Sequence, residues 1–149
     1  MTSGKRHRAR VAALQALYEA DNSGHAPLDA VRRIIAQERL PANSAAFAEE
    51  LLQGVLARRQ EIDQVISRTA TEWPVEQLAP VDRNVLRLAI SEMLGDNGTP
   101  VGAVINEAVE LAKSFGSENS ARFVNGVLGT IARERREQLQ ANQSTAGKG

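Results

Sequence analysis

A cluster of basic side chains near the start of the chain has the residue types for binding phosphates. Its members lie within six positions and include one histidine: Lys5, Arg6, His7, Arg8 and Arg10. No acidic residue precedes Glu19. The guanidinium group of arginine offers forked donors to phosphate oxygens and a flat face to nucleobases. The sequence therefore favours a nucleic-acid contact here.

This cluster stands at the start of a predicted helix, where the helix dipole disfavours cations by on the order of several tenths of a kcal/mol each. Because these charges destabilise the helix, their presence favours a role in binding another molecule. The alternative is a partly frayed, solubilising N-terminus, which is common in proteins. The low aromatic content of 3% leaves few residues for base stacking, such as Phe123 and Tyr18.

Catalytic and metal-binding groups do not converge in the sequence. The absence of cysteine excludes disulfides, iron–sulfur clusters and thiolate zinc sites. Neither histidine has a second ligand at helical spacing, and no nucleophile elbow, Walker loop or dinucleotide motif occurs. Glu107 and Glu110 fit a solvated helix face, with Glu110 paired to Lys113 or Ser114. We therefore expect no enzymatic activity, no metal and no cofactor.

The composition limits the protein class. The 149 residues, 42% of them hydrophobic, suffice for one domain or two small subdomains with a core. A formal net charge of zero argues against broad nucleic-acid coating but permits a local basic patch. No apolar run approaches the roughly twenty residues of a membrane span, and no signal peptide is evident. We expect a soluble, cytoplasmic protein.

Apolar residues recur at helical spacing along the whole chain, which predicts an all-α fold. The predicted helices cover about 5–22, 27–40, 43–66, 80–95, 100–115 and 117–140. Trp73-Pro74 marks a break, because proline disfavours helical geometry in the preceding residue. The wide apolar surface of the helix that begins at Pro80 predicts a central, buried position. Gly116 is expected to end the next helix in a left-handed conformation.

The dipeptide Asn125-Gly126 conflicts with this pattern, because it is typical of a hairpin turn. The helical stripe continues through it, so we predict a helix. Gly126 and Gly129 then cost about 1 kcal/mol each relative to alanine. We expect close packing of another helix to explain them, in preference to phosphate binding.

Three stretches resemble a known family: RHRARVAALQALYEAD at 6–21, DRNVLRLAISEML at 82–94, and VINEAVELAKSFGSENSARFVNGVLGTIAR at 104–133. Together they are similar to the bacterial NusB family of transcription antitermination factors. The resemblance covers roughly Lys5 to Arg133, although residues 24–79 match mainly in helical pattern. It implies two small helical bundles packed together, one at about 5–70 and one at about 80–138. The polar composition of the last residues separately predicts a disordered tail at about 141–149.

The resemblance also implies a function and partners. Such a protein would bind a boxA-like single-stranded RNA in nascent ribosomal RNA together with NusE, a protein of the small ribosomal subunit. With other Nus factors it would let RNA polymerase read through terminators. No enzymatic step belongs to the family. The sequence leaves open whether the chain forms a homodimer.

The family's functional positions map onto two stretches and one acid. RNA contacts are implied at the basic helix start, namely Lys5, Arg6, His7, Arg8 and Arg10, and after the fifth helix, at Gly116, Glu118, Asn119, Arg122 and Phe123. A NusE contact is implied at Asp82. The family's arginine run is interrupted here by His7, and Asn119 stands where the family often has an acid.

Several alternatives remain at this level. Phe123 either stacks on a base or packs in the core, and Asp82 also stabilises a helix N-terminus. The whole chain has an alternative function as a helical protein-interaction module without direct RNA contact. An enzyme is the second alternative, since related helical domains begin some ribosomal RNA methyltransferases, but the strand-rich domain of those enzymes does not follow here.

Overall fold

Seven α-helices and one short 3₁₀ turn make up the described part of the protein, residues 3–95 and 97–147 of a computed structural model, and this part contains no strand. The helices are α1 (Ser3–Ser23), α2 (Pro27–Gln37), α3 (Ala42–Ala57), α4 (Arg59–Thr69), α5 (Pro80–Leu94), α6 (Val101–Phe115) and α7 (Ser120–Gly147), with the 3₁₀ turn at Val75–Gln77. The prediction of an all-α fold is confirmed.

Prolines define several helix starts as predicted. Pro27 and Pro80 occupy the first turns of α2 and α5, where the missing N–H has no intrahelical acceptor. Pro100 immediately precedes α6. The predicted break at Trp73-Pro74 is also confirmed, because only the short 3₁₀ turn lies between α4 and α5.

The long helix predicted from 43 to 66 is wrong in one respect, since the structure divides it into α3 and α4. The backbone bends at Arg58, which has φ −117° and ψ 17°. Helix α3 packs mainly against α1, α2 and α5, whereas α4 packs against α5 and α7. The change of partners requires the bend, although the apolar spacing continues through it.

Helix α5 lies at the centre of the fold, as its apolar surface predicts. Every residue from 84 to 93 is buried, and α5 contacts α1, α3, α4, α6 and α7. The two predicted bundles therefore share one core. Helix α4, which the sequence assigns to the N-terminal bundle, lies closer to the C-terminal helices.

Three expectations about glycines and the tail require correction. Gly116 ends α6 with φ −95°, an extended conformation, and a side chain there would meet the Ala112 carbonyl oxygen at 2.7 Å. Space, and not a left-handed turn, explains this glycine. Helix α7 passes through Asn125-Gly126 as predicted, but no atom of a neighbouring helix lies within 4 Å of a methyl group built at Gly126 or Gly129. Close helix packing therefore does not explain them.

The tail also differs from its prediction. Helix α7 continues to Gly147, so that residues 141–147, expected to be disordered, are helical. The last two residues of that predicted tail lie outside the described residues.

A cluster of charged residues ties α1 and α4 to α5. The guanidinium of Arg87 donates to both carboxylate oxygens of Asp63, at 2.9 and 3.1 Å, and lies 3.4 Å from Asp21. Asp21 also accepts hydrogen bonds from Arg83 at 3.0 Å and Asn84 at 2.8 Å. Burial alone raises the pKa of Asp21, but these hydrogen bonds and the charges of Arg87 and Arg83 outweigh it and lower the pKa below its ordinary value.

We expect the free energy of unfolding to fall as the pH drops below about 4, because protonating Asp21 removes its contribution. The sign follows from the lowered pKa: the stabilisation is complete above the unfolded-state pKa and disappears through the folded-state pKa. Urea unfolding at a series of pH values should show a shallower acid limb for Asp21→Asn than for the parent. The exposed Asp29→Asn variant is the control, and an unchanged acid limb in Asp21→Asn contradicts the prediction.

Candidate nucleic-acid interface

The first turns of α1 bring the basic helix start (Lys5, Arg6, His7, Arg8 and Arg10) against the end of α2, α3 and the start of α6. Lys5 and Arg8 are exposed. The guanidinium of Arg8 donates to the backbone carbonyl of Glu38 at 2.8 Å, which anchors the side chain and leaves its other donors free. These two side chains supply the accessible positive charge of the helix start.

Arg6 and His7 are half-buried. Arg6 donates to the hydroxyl of Thr99 at 3.0 Å, and its guanidinium carbon lies 4.9 Å from the ring centroid of Phe47. The Nδ1 atom of His7 lies 3.2 Å from a carboxylate oxygen of Glu107. The helix start is therefore held in place by contacts to residues about one hundred positions away in sequence.

Arg10 lies in the interior, contrary to its expected place on an RNA surface. Its guanidinium makes a bidentate pair with Glu92, at 2.9 and 2.7 Å, and the two side chains are only 5% and 3% exposed. Asn97 donates to the same carboxylate at 2.9 Å, and Glu107 lies 3.9 Å from Arg10. Arg10 therefore positions the helix start and is not available to an external phosphate.

The second predicted stretch surrounds the start of α7. The backbone N–H of Ser117 donates to the hydroxyl of Ser120 at 2.8 Å, which closes the turn before the helix. Asn119 and Arg122 are exposed in this region. Phe123 is half-buried against the core. Among the described residues, no acidic side chain pairs with Arg122.

The two stretches lie towards opposite ends of α6, which as a helix of 15 residues is about 22 Å long. The basic helix start contacts the first half of α6 and the loop before it, through Glu107 and Thr99. Asn119 and Arg122 follow its other end. One RNA strand would therefore have to run along the molecule to reach both.

A third surface combines exposed aromatic residues with the predicted acid at the start of α5. Tyr18 and Phe115, 42% and 41% exposed, line a groove of about 570 Å³ with Val81. Asp82 is half-buried, and its Oδ1 atom is buried without a hydrogen-bond partner among the described residues. We refer to the groove lined by Tyr18, Val81 and Phe115 as the aromatic groove; Asp82 follows Val81 in the sequence but does not line it.

Two predictions about the remaining polar groups can be checked. Lys113 lies 3.4 Å from Glu110 on α6, so the predicted local pair is present. Glu107 is not part of a purely solvated face, since it contacts His7. Within the described residues, no cluster of His, Cys, Asp or Glu could hold a metal ion, and no helix is long and apolar enough to cross a membrane.

The model of the NusB family matches residues 7–133, which span most of the chain. This chain belongs to the NusB family. A curated relative from Chloroflexus aggregans, named transcription antitermination protein NusB, is 47% identical over 143 residues, 95% of both chains. The NusB family comprises transcription antitermination factors and not enzymes, which confirms the expectation that the chain is not an enzyme.

Solved structures agree with this assignment. A crystal structure of T. maritima NusB superposes with a TM-score of 0.81 at 36% identity and covers 87% of this chain and 91% of that chain. A complex described as antitermination factors NusB and NusE with dsRNA gives a TM-score of 0.81 at 27% identity, covering 89% and 99%. The fold of this chain is therefore the all-α NusB fold.

Proposed function

We propose that this chain binds boxA-like single-stranded RNA in nascent ribosomal RNA together with NusE. In this role it promotes read-through by RNA polymerase, with other Nus factors taking part, in the cytoplasm. The observation that carries the proposal is a pair of exposed cations, Lys5 and Arg8, of which Arg8 is anchored by Glu38, on a chain of the NusB family. A solved NusB relative in complex with NusE and dsRNA supports NusE and RNA as the classes of partner.

The proposal assigns different roles within the basic helix start. Lys5 and Arg8 contact phosphates directly, because their charges are exposed. Arg6 and His7 contact RNA through the faces left open by Phe47, Thr99 and Glu107. Arg10 acts through its buried pair and sets the position of the other four.

The second contact is formed by Asn119, Arg122 and Phe123 at the start of α7. Arg122 offers a guanidinium without an acidic partner among the described residues, and phosphates favour the amide end of a helix. A strand held at both stretches would run along α6. This arrangement explains how two short stretches can serve one RNA despite lying at opposite ends of a helix.

The aromatic groove is the proposed NusE contact. Tyrosine is enriched among the residues that dominate binding energy at protein interfaces, and Tyr18 and Phe115 are unusually exposed here. Asp82 adds a negative charge beside them, with one oxygen that lacks a partner.

The alternative is a protein-interaction module without direct RNA contact, which the aromatic groove also favours. The two functions differ in what the basic helix start does. In the alternative, removing its exposed charges leaves every binding activity unchanged.

We expect the variant Lys5→Ala, Arg6→Ala, Arg8→Ala to lose most of its affinity for a boxA-like strand. For about three neutralised phosphates, log affinity should fall with log salt at a slope of roughly −2 in the parent chain, and the slope should shrink to roughly −0.7 in the variant, which keeps Arg122. Fluorescence anisotropy with labelled RNA, with and without NusE, measures both quantities. A scrambled strand tests sequence preference.

The matched control removes three exposed arginines elsewhere, through Arg58→Ala, Arg133→Ala and Arg136→Ala. It changes the net charge equally and should keep the parent slope and affinity. An equal loss of RNA affinity in both variants would show that only the net charge of the chain matters, and not the position of these cations. Unchanged RNA binding in the Lys5, Arg6 and Arg8 variant would favour the alternative function, a protein-interaction module without direct RNA contact.

A further inference from the structure

A groove of about 380 Å³ lies between the connector that follows α4 and the first turns of α7. Trp73 forms part of its connector side and is 60% exposed. Arg122, Phe123 and Gly126 line its α7 side. Leaving this much of a tryptophan in water costs roughly 25 cal/mol for each Å² of apolar surface that burial would remove. An exposed tryptophan beside a groove is a candidate binding residue, because its ring offers a large flat surface to a ligand.

Phe123 has a role on both of its sides. It packs against the core and also lines the groove. Core packing and exposure to a ligand are therefore compatible for this residue. The ring is fixed by its core contacts, and a fixed ring loses little entropy when a ligand stacks on it.

Gly126 is the second unusual feature of the groove. A glycine in the middle of a helix costs about 1 kcal/mol relative to alanine, and helix packing does not explain it, because no atom of a neighbouring helix lies within 4 Å of a side chain built there. The missing methyl group leaves the backbone of α7 open towards the groove. A flat ring therefore has room to approach the helix backbone at this position.

The charges around the groove favour a ligand that carries its negative group on the side of Arg122. Arg122 is exposed on one side, without an acidic partner among the described residues. Glu72 lines the other side and repels a phosphate. A flat base between the two sides would therefore carry its phosphate towards Arg122.

We propose that a nucleobase of the single-stranded RNA stacks on Trp73 in this groove while Arg122 holds the adjoining phosphate. Aromatic residues bind single strands in this way, since every base has a flat π-face, and an arginine nearby pairs with the backbone. The inference rests on the proposed function and extends the RNA path from the start of α7 to the connector between α4 and α5.

The sequence makes a direct measurement available, because Trp73 is the only tryptophan of the chain. We expect its fluorescence to be quenched when the full chain is titrated with the boxA-like strand, at the concentration where anisotropy reports binding. Trp73→Ala should weaken binding by roughly 5- to 150-fold, the range for one lost base stack. Trp73→Phe keeps a flat face and should retain most of the affinity.

Two readouts separate the groove from other effects. Trp73→Ala should leave the salt slope of binding unchanged, because it removes no charge, whereas Arg122→Ala should reduce the slope by about 0.7. Gly126→Ala narrows the groove without changing charge, and it should weaken binding even though it stabilises the helix.

The outcomes distinguish this inference from the proposed function. RNA binding that depends on Lys5 and Arg8, with no quenching and no loss in Trp73→Ala, overturns the groove and keeps the proposed function. Absence of any RNA binding overturns both. Quenching by NusE without RNA, with loss of NusE binding in Trp73→Ala, also overturns the inference, because the groove is then a protein contact.

Discussion

Replacing Glu92 with alanine should lower the free energy of unfolding by about 3–5 kcal/mol, the range for breaking a buried ion pair. The change leaves the guanidinium of Arg10 buried without its bidentate partner. Glu107, at 3.9 Å, is too far away to replace both hydrogen bonds. Urea unfolding followed by circular dichroism measures the loss.

A double variant shows whether the instability of Glu92→Ala comes from the unpaired buried charge of Arg10 or only from lost packing contacts. The double variant Arg10→Met, Glu92→Met removes both charges and keeps the volume, so it should recover most of the stability. The exposed pair of Arg32 and Glu49 provides the control, because Glu49→Ala should cost less than about 1 kcal/mol. A loss below about 1 kcal/mol in Glu92→Ala would contradict the assignment of Arg10 to the interior.

The same pair connects folding to RNA binding. Arg10 and Glu92 join α1 to α5, and Asn97 extends the contact to the loop before α6. That loop also holds Thr99, which binds Arg6. A Glu92→Ala chain that remains folded should therefore bind RNA more weakly, although Glu92 itself is buried and contacts no ligand.

Sequence reasoning succeeded where the physics is local. Proline positions fixed the starts of α2 and α5, and apolar spacing identified α5 as the central helix. It failed at Arg58, because the apolar stripe continues from α3 into α4 and the bend follows from a change of packing partners. No local pattern records which helices a segment will contact.

The position of Arg10 was predictable in part. Arg10, Leu14 and Leu17 are spaced by four and three residues, so they share one face of α1, and all three are buried. Lys5 and Arg8 fall on other faces and remain exposed. Helical spacing therefore separates the buried arginine from the accessible cations, but its partner, 82 residues away, cannot be read from the sequence.

Trp73 shows a different limit. In the sequence it served only to mark a helix break with Pro74, because an isolated tryptophan before a proline has no periodic context. Its exposure, and the open backbone of Gly126 on α7 opposite it, emerge only when the connector folds against α7. The composition gave the one useful signal, since aromatic residues are rare in this chain.

Tyr18→Ala should weaken NusE binding by about 2 kcal/mol or more, roughly 30-fold in Kd, because tyrosine is enriched among the few residues that dominate binding energy at protein interfaces. Tyr18 is 42% exposed, so its removal should change the stability of the free chain little. Isothermal titration calorimetry with NusE measures the loss, and Tyr18→Phe, which keeps the ring, should bind nearly as the parent does.

The aromatic groove and the RNA-binding stretches should contribute separately, the first to NusE affinity and the second to RNA affinity. Measuring both affinities in one variant tests this assignment. Tyr18→Ala should leave RNA binding by the chain alone unchanged, since Tyr18 contacts neither the basic helix start nor the groove that contains Trp73. With NusE present, Tyr18→Ala should bind RNA more weakly than the parent does, because bound NusE no longer increases the RNA affinity. An unchanged Kd for NusE in Tyr18→Ala would mean that NusE binds another face of the chain. Asp82, whose Oδ1 atom lacks a hydrogen-bond partner among the described residues, would then act only by placing a negative charge at the positive end of the α5 dipole.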